Sequence, residues 1–132
     1  MIELTGIDTN ILVRYLVKDD LEQSRKAVEL FKTFLPTNKG FISIVVIVES
    51  IWVLSSVYKL DKGLIRESIL KLLNSARIQV QLESVIETAL SRQEPDGDLA
   101  DMIIAEISRS FDCETTFTFD KNAAKLAGMS LL

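Results

Sequence analysis

Histidine is missing from all 132 residues, and cysteine occurs once, as Cys113. Without histidine there is no Ser-His-Asp or Cys-His nucleophile pair, and no metal-free cleavage of RNA by two histidines. Zinc sites built from histidine and cysteine are excluded on the same ground. A lone cysteine forbids an intrachain disulfide and fits a reducing cytoplasm; Cys113 is expected to be a small buried residue. The opening residues lack the basic start and long apolar core of a signal peptide. The most apolar run, residues 41–57, is interrupted by Ser43, Glu49, Ser50, Ser55 and Ser56, so no membrane span is expected. Gly63 and Gly97 stand alone and make no glycine-rich phosphate cradle. A broad basic field is absent as well: 15 Lys+Arg against 19 Asp+Glu leave a net charge of −4. That balance argues against a general nucleic-acid coat, though not against an enzyme whose acidic site holds a metal. The chemistry left to an enzyme of this composition is that of carboxylates and a hard cation.

The 48% hydrophobic and 26% charged residues are those of an ordinary globular chain and exclude disorder. The length suits a single domain spanning residues 1–132. Short apolar runs alternate with helical periods. Strands are expected over residues 2–7, 41–43, 77–82 and 115–119, with an edge strand over 129–132. Helices are expected over 10–17, 20–35, 43–58 and 61–73, around 85–90, over 98–110, and as a short piece over 121–126. Residues 93–97 read as a loop, and no internal repeat or linker is present. This β-α alternation predicts an α/β fold with a central, mostly parallel sheet flanked by helices. Trp52, Phe31, Phe34, Phe111, Phe117 and Phe119 are expected to fill its core.

Four acids stand out from the solvated majority. Asp8 ends an apolar strand, Glu49 sits within Ile44-Val45-Val46-Ile47-Val48-Glu49-Ser50-Ile51-Trp52, Asp101 lies in Leu99-Ala100-Asp101-Met102-Ile103, and Asp120 closes Thr116-Phe117-Thr118-Phe119. A buried carboxylate needs a partner, a proton or a metal. Asp8 and Asp120 fall at the carboxyl ends of expected parallel strands, the edge at which open parallel sheets place ligands. Two carboxylates about 5 Å apart repel by roughly 3 kcal/mol at an effective dielectric near 20. Several such pairs would raise pKa values or attract a cation, and all-oxygen ligation favours Mg²⁺ or Mn²⁺. Each acid also has a structural reading. Asp8 can cap the following helix, Asp98 and Asp101 are spaced as an N-cap and its third position, and Asp120 can be a turn residue. Glu49 can pair with a buried arginine. Arg14 and Lys18, four residues apart, can face a substrate backbone or simply solvent.

The chain resembles the PIN-domain ribonucleases, more narrowly the VapC-type toxins of prokaryotic toxin–antitoxin pairs. The resemblance starts with Gly6-Ile7-Asp8-Thr9-Asn10-Ile11-Leu12-Val13-Arg14-Tyr15-Leu16 and continues at Phe41-Ile42-Ser43 with Glu49 and Trp52. It then takes in Asp98-Leu99-Ala100-Asp101 and closes with Thr116-Phe117-Thr118-Phe119-Asp120-Lys121-Asn122-Ala123-Ala124-Lys125-Leu126. The resemblance implies that Asp8, Glu49, Asp101 and Asp120 are the catalytic, metal-binding acids. It makes Asp98 an additional acid one turn earlier, and Asn10 and Thr118 polar residues that orient them. It implies an endoribonuclease dependent on Mg²⁺ or Mn²⁺, acting as a homodimer in the cytoplasm and neutralised by a small antitoxin protein. Two other readings of the same acids are a phosphohydrolase of small phosphoesters, with Asp8 as nucleophile, and a metal-binding interaction module without catalysis.

Overall fold

Strands joined in parallel cannot be linked by a tight hairpin, so the chain must travel back between them, and helices supply the return. A computed structural model describes residues 2–92 and 94–132, in two compact units, Met1–Gln81 and Leu82–Leu132.

In the first unit, β1 (Glu3–Gly6), β2 (Asn38–Ile42) and β3 (Ile78–Val80) form a parallel sheet in the order β1-β2-β3. Gly6 lies opposite Phe41 and Ile42 opposite Val80. Helices α1 (Thr9–Leu16) and α2 (Leu21–Lys32) connect β1 to β2, and α3 (Ile44–Ser56) and α4 (Lys62–Leu73) connect β2 to β3. Local chemistry sets three of the starts: Asp8 accepts from Thr9 N, Asp20 from Gln23 N, and Ser43 from Val46 N. Leu12, Ile42, Ile47, Leu54, Ile65 and Ile69 are almost fully buried, each worth on the order of 1.5–3 kcal/mol of removed apolar surface. Position 40 in β2 must be glycine because a Cβ there would lie 2.6 Å from the Phe34 ring.

The second unit holds α5 (Glu83–Ser91), α6 (Leu99–Ser110), β4 (Thr116–Thr118), one 3₁₀ turn (Ala123–Lys125) and β5 (Met129–Leu131). Strands β4 and β5 are parallel, with Thr116 opposite Met129. Gly97, in the loop before α6, takes φ +72° with Leu126 so close that a Cβ would meet its Cδ1 at 2.5 Å. Leu99, Met102 and Ile103 bury one face of α6. Glu106, one turn further on that face, is buried too and is met by Arg92 at 2.9 Å and Arg109 at 3.9 Å.

The expected α/β class and parallel pairing of strands are present, in a three-stranded and a two-stranded sheet, with several local differences. The helix expected over 20–35 ends at Lys32, where Thr33 donates its N–H and hydroxyl to Leu30 O. Leu35 and Asn38 then bridge, and β2 starts earlier than expected. The helix expected over 121–126 is a single 3₁₀ turn. Residues 94–97 form the expected loop, and Gln93 lies outside the described residues. Phe31 and Phe34 are core residues, but Trp52, Phe111, Phe117 and Phe119 are exposed. Cys113 is exposed rather than buried. No helix among the described residues is long and apolar enough to cross a membrane.

Candidate functional site

The chain leaves β1 at its carboxyl edge through Asp8, whose Oδ1 accepts from Thr9 N at 2.7 Å. The first turn of α1 thereby turns the Thr9 hydroxyl toward α3, where it donates to Glu49 Oε1 at 3.1 Å. Glu49 is exposed, contrary to the burial expected from its apolar neighbours. Helix α3 buries Ile47, Ile51 and Leu54 on one face. At 100° per residue Glu49 falls on the opposite side with Val45 and Trp52, which are also exposed. A sequence apolar around the whole helix gives no period from which to read that face.

Asp8, Thr9, Asn10, Arg14, Glu49 and Tyr58 line a cavity of about 390 Å³ in this unit. Arg14 is already engaged. Its Nη1 donates to the Tyr58 hydroxyl at 2.6 Å and to Asp19 Oδ1 at 3.0 Å, and its Nε to Gln23 Oε1 at 2.8 Å. Tyr58 in turn donates to Asp19 Oδ2 at 2.9 Å. The hydrogen bond from Tyr58, with the Arg14 charge behind it, holds the Asp19 carboxyl below the usual range. The bond to Tyr58, followed by Asp19, raises the Arg14 guanidinium. Lys18 lies past the end of α1 and lines a different cavity, so it does not share a face with Arg14.

In the second unit Asp98 and Asp101 meet each other. Asp98 Oδ1 accepts from Asp101 N at 2.7 Å, and Asp101 Oδ2 accepts from Asp98 N at 3.3 Å, a reciprocal cap that starts α6. One oxygen of each carboxylate is outside this pair of bonds. Asp120 follows β4, and its Oδ1 accepts from Asn122 N at 2.8 Å and Ala123 N at 3.1 Å. Thr118 Oγ1 accepts from Asp120 N at 3.0 Å, which places Thr118 as the residue that holds the Asp120 backbone. Burial, then the charge of Asp98, with Asp120 adding to it, pushes the Asp101 carboxyl above the usual carboxylate range.

Among the described residues no group of three His, Cys, Asp or Glu could hold a metal ion as placed. Donor type and charge are nonetheless those a hard divalent cation takes: three aspartates, two with an oxygen outside the cap. Sequence reasoning missed three residues. Thr9 stands between two of the named acids in its contacts, and Tyr58 ties Arg14 to Asp19. Glu106 continues the Leu99, Met102, Ile103 spacing of the buried face of α6, a signal that was legible.

The crystal structure of the Mycobacterium tuberculosis toxin VapC20, which cleaves the sarcin–ricin loop, is similar, with a TM-score of 0.46 and 16% identity over 92% of each chain. A likeness this distant adds nothing to the functional argument. Among curated proteins none matches the chain. The model of the PIN domain family matches residues 7–129, nearly the whole sequence. The chain belongs to the PIN domain family.

Proposed function

We propose that the protein is a divalent-metal-dependent endoribonuclease, the toxin of a VapC-type toxin–antitoxin pair. The observation that carries this reading is the half-buried Asp101 at the start of α6, whose carboxyl is raised by burial first and then by the charges of Asp98 and Asp120, in a chain of the PIN domain family. Asp101, Asp120 and Asp98 would hold the cation, with Asp8 as a further ligand and Glu49 as ligand or base, the last two on the sequence resemblance. When bound, Mg²⁺ or Mn²⁺ supplies an activated water and neutralises charge on the phosphoryl group and the departing 3′-oxygen.

The chain's own residues do the positioning. The reciprocal cap fixes Asp98 and Asp101 on the rigid start of α6. Thr118 and the turn at Asn122 and Ala123 fix Asp120. With no histidine, proton removal from the attacking water falls to a carboxylate or to solvent. Arg14 has its charge answered by Asp19 and contributes to substrate binding only if that bond is exchanged. The resemblance further suggests a cytoplasmic homodimer with a small antitoxin as partner. The two units are read as parts of one domain, because the family match runs through both.

The test is cleavage of a panel of end-labelled RNAs by antitoxin-free protein with Mn²⁺, with Mg²⁺ and with EDTA, beside a folded Asp101→Asn variant. Cutting by the wild type alone, and only with metal, is the expected result. Cutting that survives both EDTA and the substitution would overturn the proposal.

A further inference from the structure

A second cavity of the first unit is chemically unlike the acid-bearing one. It measures about 590 Å³, within the range of sites for small organic ligands. Lys18, Lys32, Lys71 and Arg77 line it and no carboxylate does, although acids outnumber bases in the chain as a whole. None of these four cations takes part in an ion pair among the described residues. Four like charges around one cavity repel one another, and an anionic guest relieves that repulsion. The cavity is also apolar in part, lined by Leu16, Val28, Leu72 and Ile78. The Tyr15 and Phe31 rings stack there, with centroids 3.8 Å apart and planes 7° from parallel. Helix α1 carries residues of both cavities: Asp8-side residues Asn10, Val13 and Arg14 line one, and Tyr15 and Leu16 the other.

We propose that this cavity binds a nucleotide unit, its phosphate among Lys18, Lys32, Lys71 and Arg77 and its base against the Tyr15–Phe31 aromatic surface. Cations alone would suit any anion, and apolar rings alone any greasy group. A phosphate joined to a planar ring system satisfies both within one compact cavity. The unit is either a free mononucleotide or one residue of an RNA strand. The site does not depend on the ribonuclease reading, since none of the acids named for that activity lines it.

The experiment is calorimetric titration of the full chain with AMP, adenosine, inorganic phosphate and a short single-stranded RNA, all in EDTA so that cleavage plays no part. The variants are Lys71→Ala/Arg77→Ala, which removes two exposed cations, and Tyr15→Leu, which keeps apolar bulk. AMP or the RNA is expected to bind, and the double substitution to weaken it by about tenfold or more. Tyr15→Leu is expected to weaken AMP while leaving phosphate unchanged. Binding of AMP identifies a free nucleotide as sufficient, and binding of RNA alone identifies the strand as the source. If neither binds, or if binding is the same in the double variant, the proposal is overturned. Loss of cleavage in Asp101→Asn with nucleotide binding intact would separate the two sites.

Discussion

Asp8 and Glu49 in the first unit share the donors of Thr9, whereas Asp98 and Asp101 in the second accept from each other's backbone, and Asp101 also feels the charge of Asp120. Thr9 serves both acids of the first unit, by its N–H to Asp8 and by its hydroxyl to Glu49. In the second unit backbone N–H groups bind the acids, yet Asp101 is still held above the usual carboxylate range by burial and by its acidic neighbours. Burial and like-charged neighbours both disfavour an ionised carboxylate, and a cation beside it relieves both. The crowded set is therefore the better candidate to recruit a cation.

Four measurements press on that difference. The largest effect is expected in catalysis: Asp101→Asn and Asp120→Asn each lower the initial rate of RNA cleavage by about 100-fold or more. Thr9→Val, which removes only the hydroxyl that Glu49 accepts, lowers it by less than about tenfold; an equal loss would erase the contrast. In stability, Ser43→Ala costs about 1 kcal/mol through the lost cap of α3. Asp98→Ala loses a comparable cap of α6 but relieves repulsion on Asp101, so chemical denaturation is expected to show a smaller cost.

The third effect is smaller and depends on pH. Because the folded-state pKa of Asp101 is raised, the folded protein holds its proton more tightly than the unfolded chain, and stability falls as pH rises through that interval. Asp101→Asn removes the penalty and is expected to raise stability at neutral pH by on the order of 0.5 kcal/mol, allowing for solvent screening. Below the ordinary aspartate pKa the variant and wild type converge in denaturation experiments. The smallest effect is at Asp19, where the shift has the opposite sign. Its contribution is present above the ordinary aspartate pKa and lost as pH falls through its lowered folded value. Tyr58→Phe is expected to move the Asp19 carboxyl back toward its usual value, which NMR titration of the carboxyl carbon reads directly.

Much of this was legible from local chemistry. Asp8, Ser43 and the Asp98–Asp101 pair announce helix starts because capping needs a short oxygen-bearing side chain at a fixed offset, and the structure uses each of them so. The parallel strands follow from short apolar runs separated by helical periods. What was not legible is which side of an element faces out. In α3 every face is apolar, so Glu49 and Trp52 read as buried and are exposed. Phe117 and Phe119 alternate with threonines as strand residues should, and alternation alone does not say which of the two faces is covered. Tyr58 reaches Arg14 across 44 positions of sequence, a link no local pattern encodes.

The start of α6 carries one further consequence. Helices are commonly opened by a hydroxyl paired with a longer acid, but here two aspartates do the work. The same pair of side chains thus sets where the helix begins and how negative its first turn is. Shortening, neutralising or shifting either one alters geometry and charge together. A substitution at either position is felt both in where α6 begins and in the charge it carries, and the helix start serves as a ruler for the placement of its own acids.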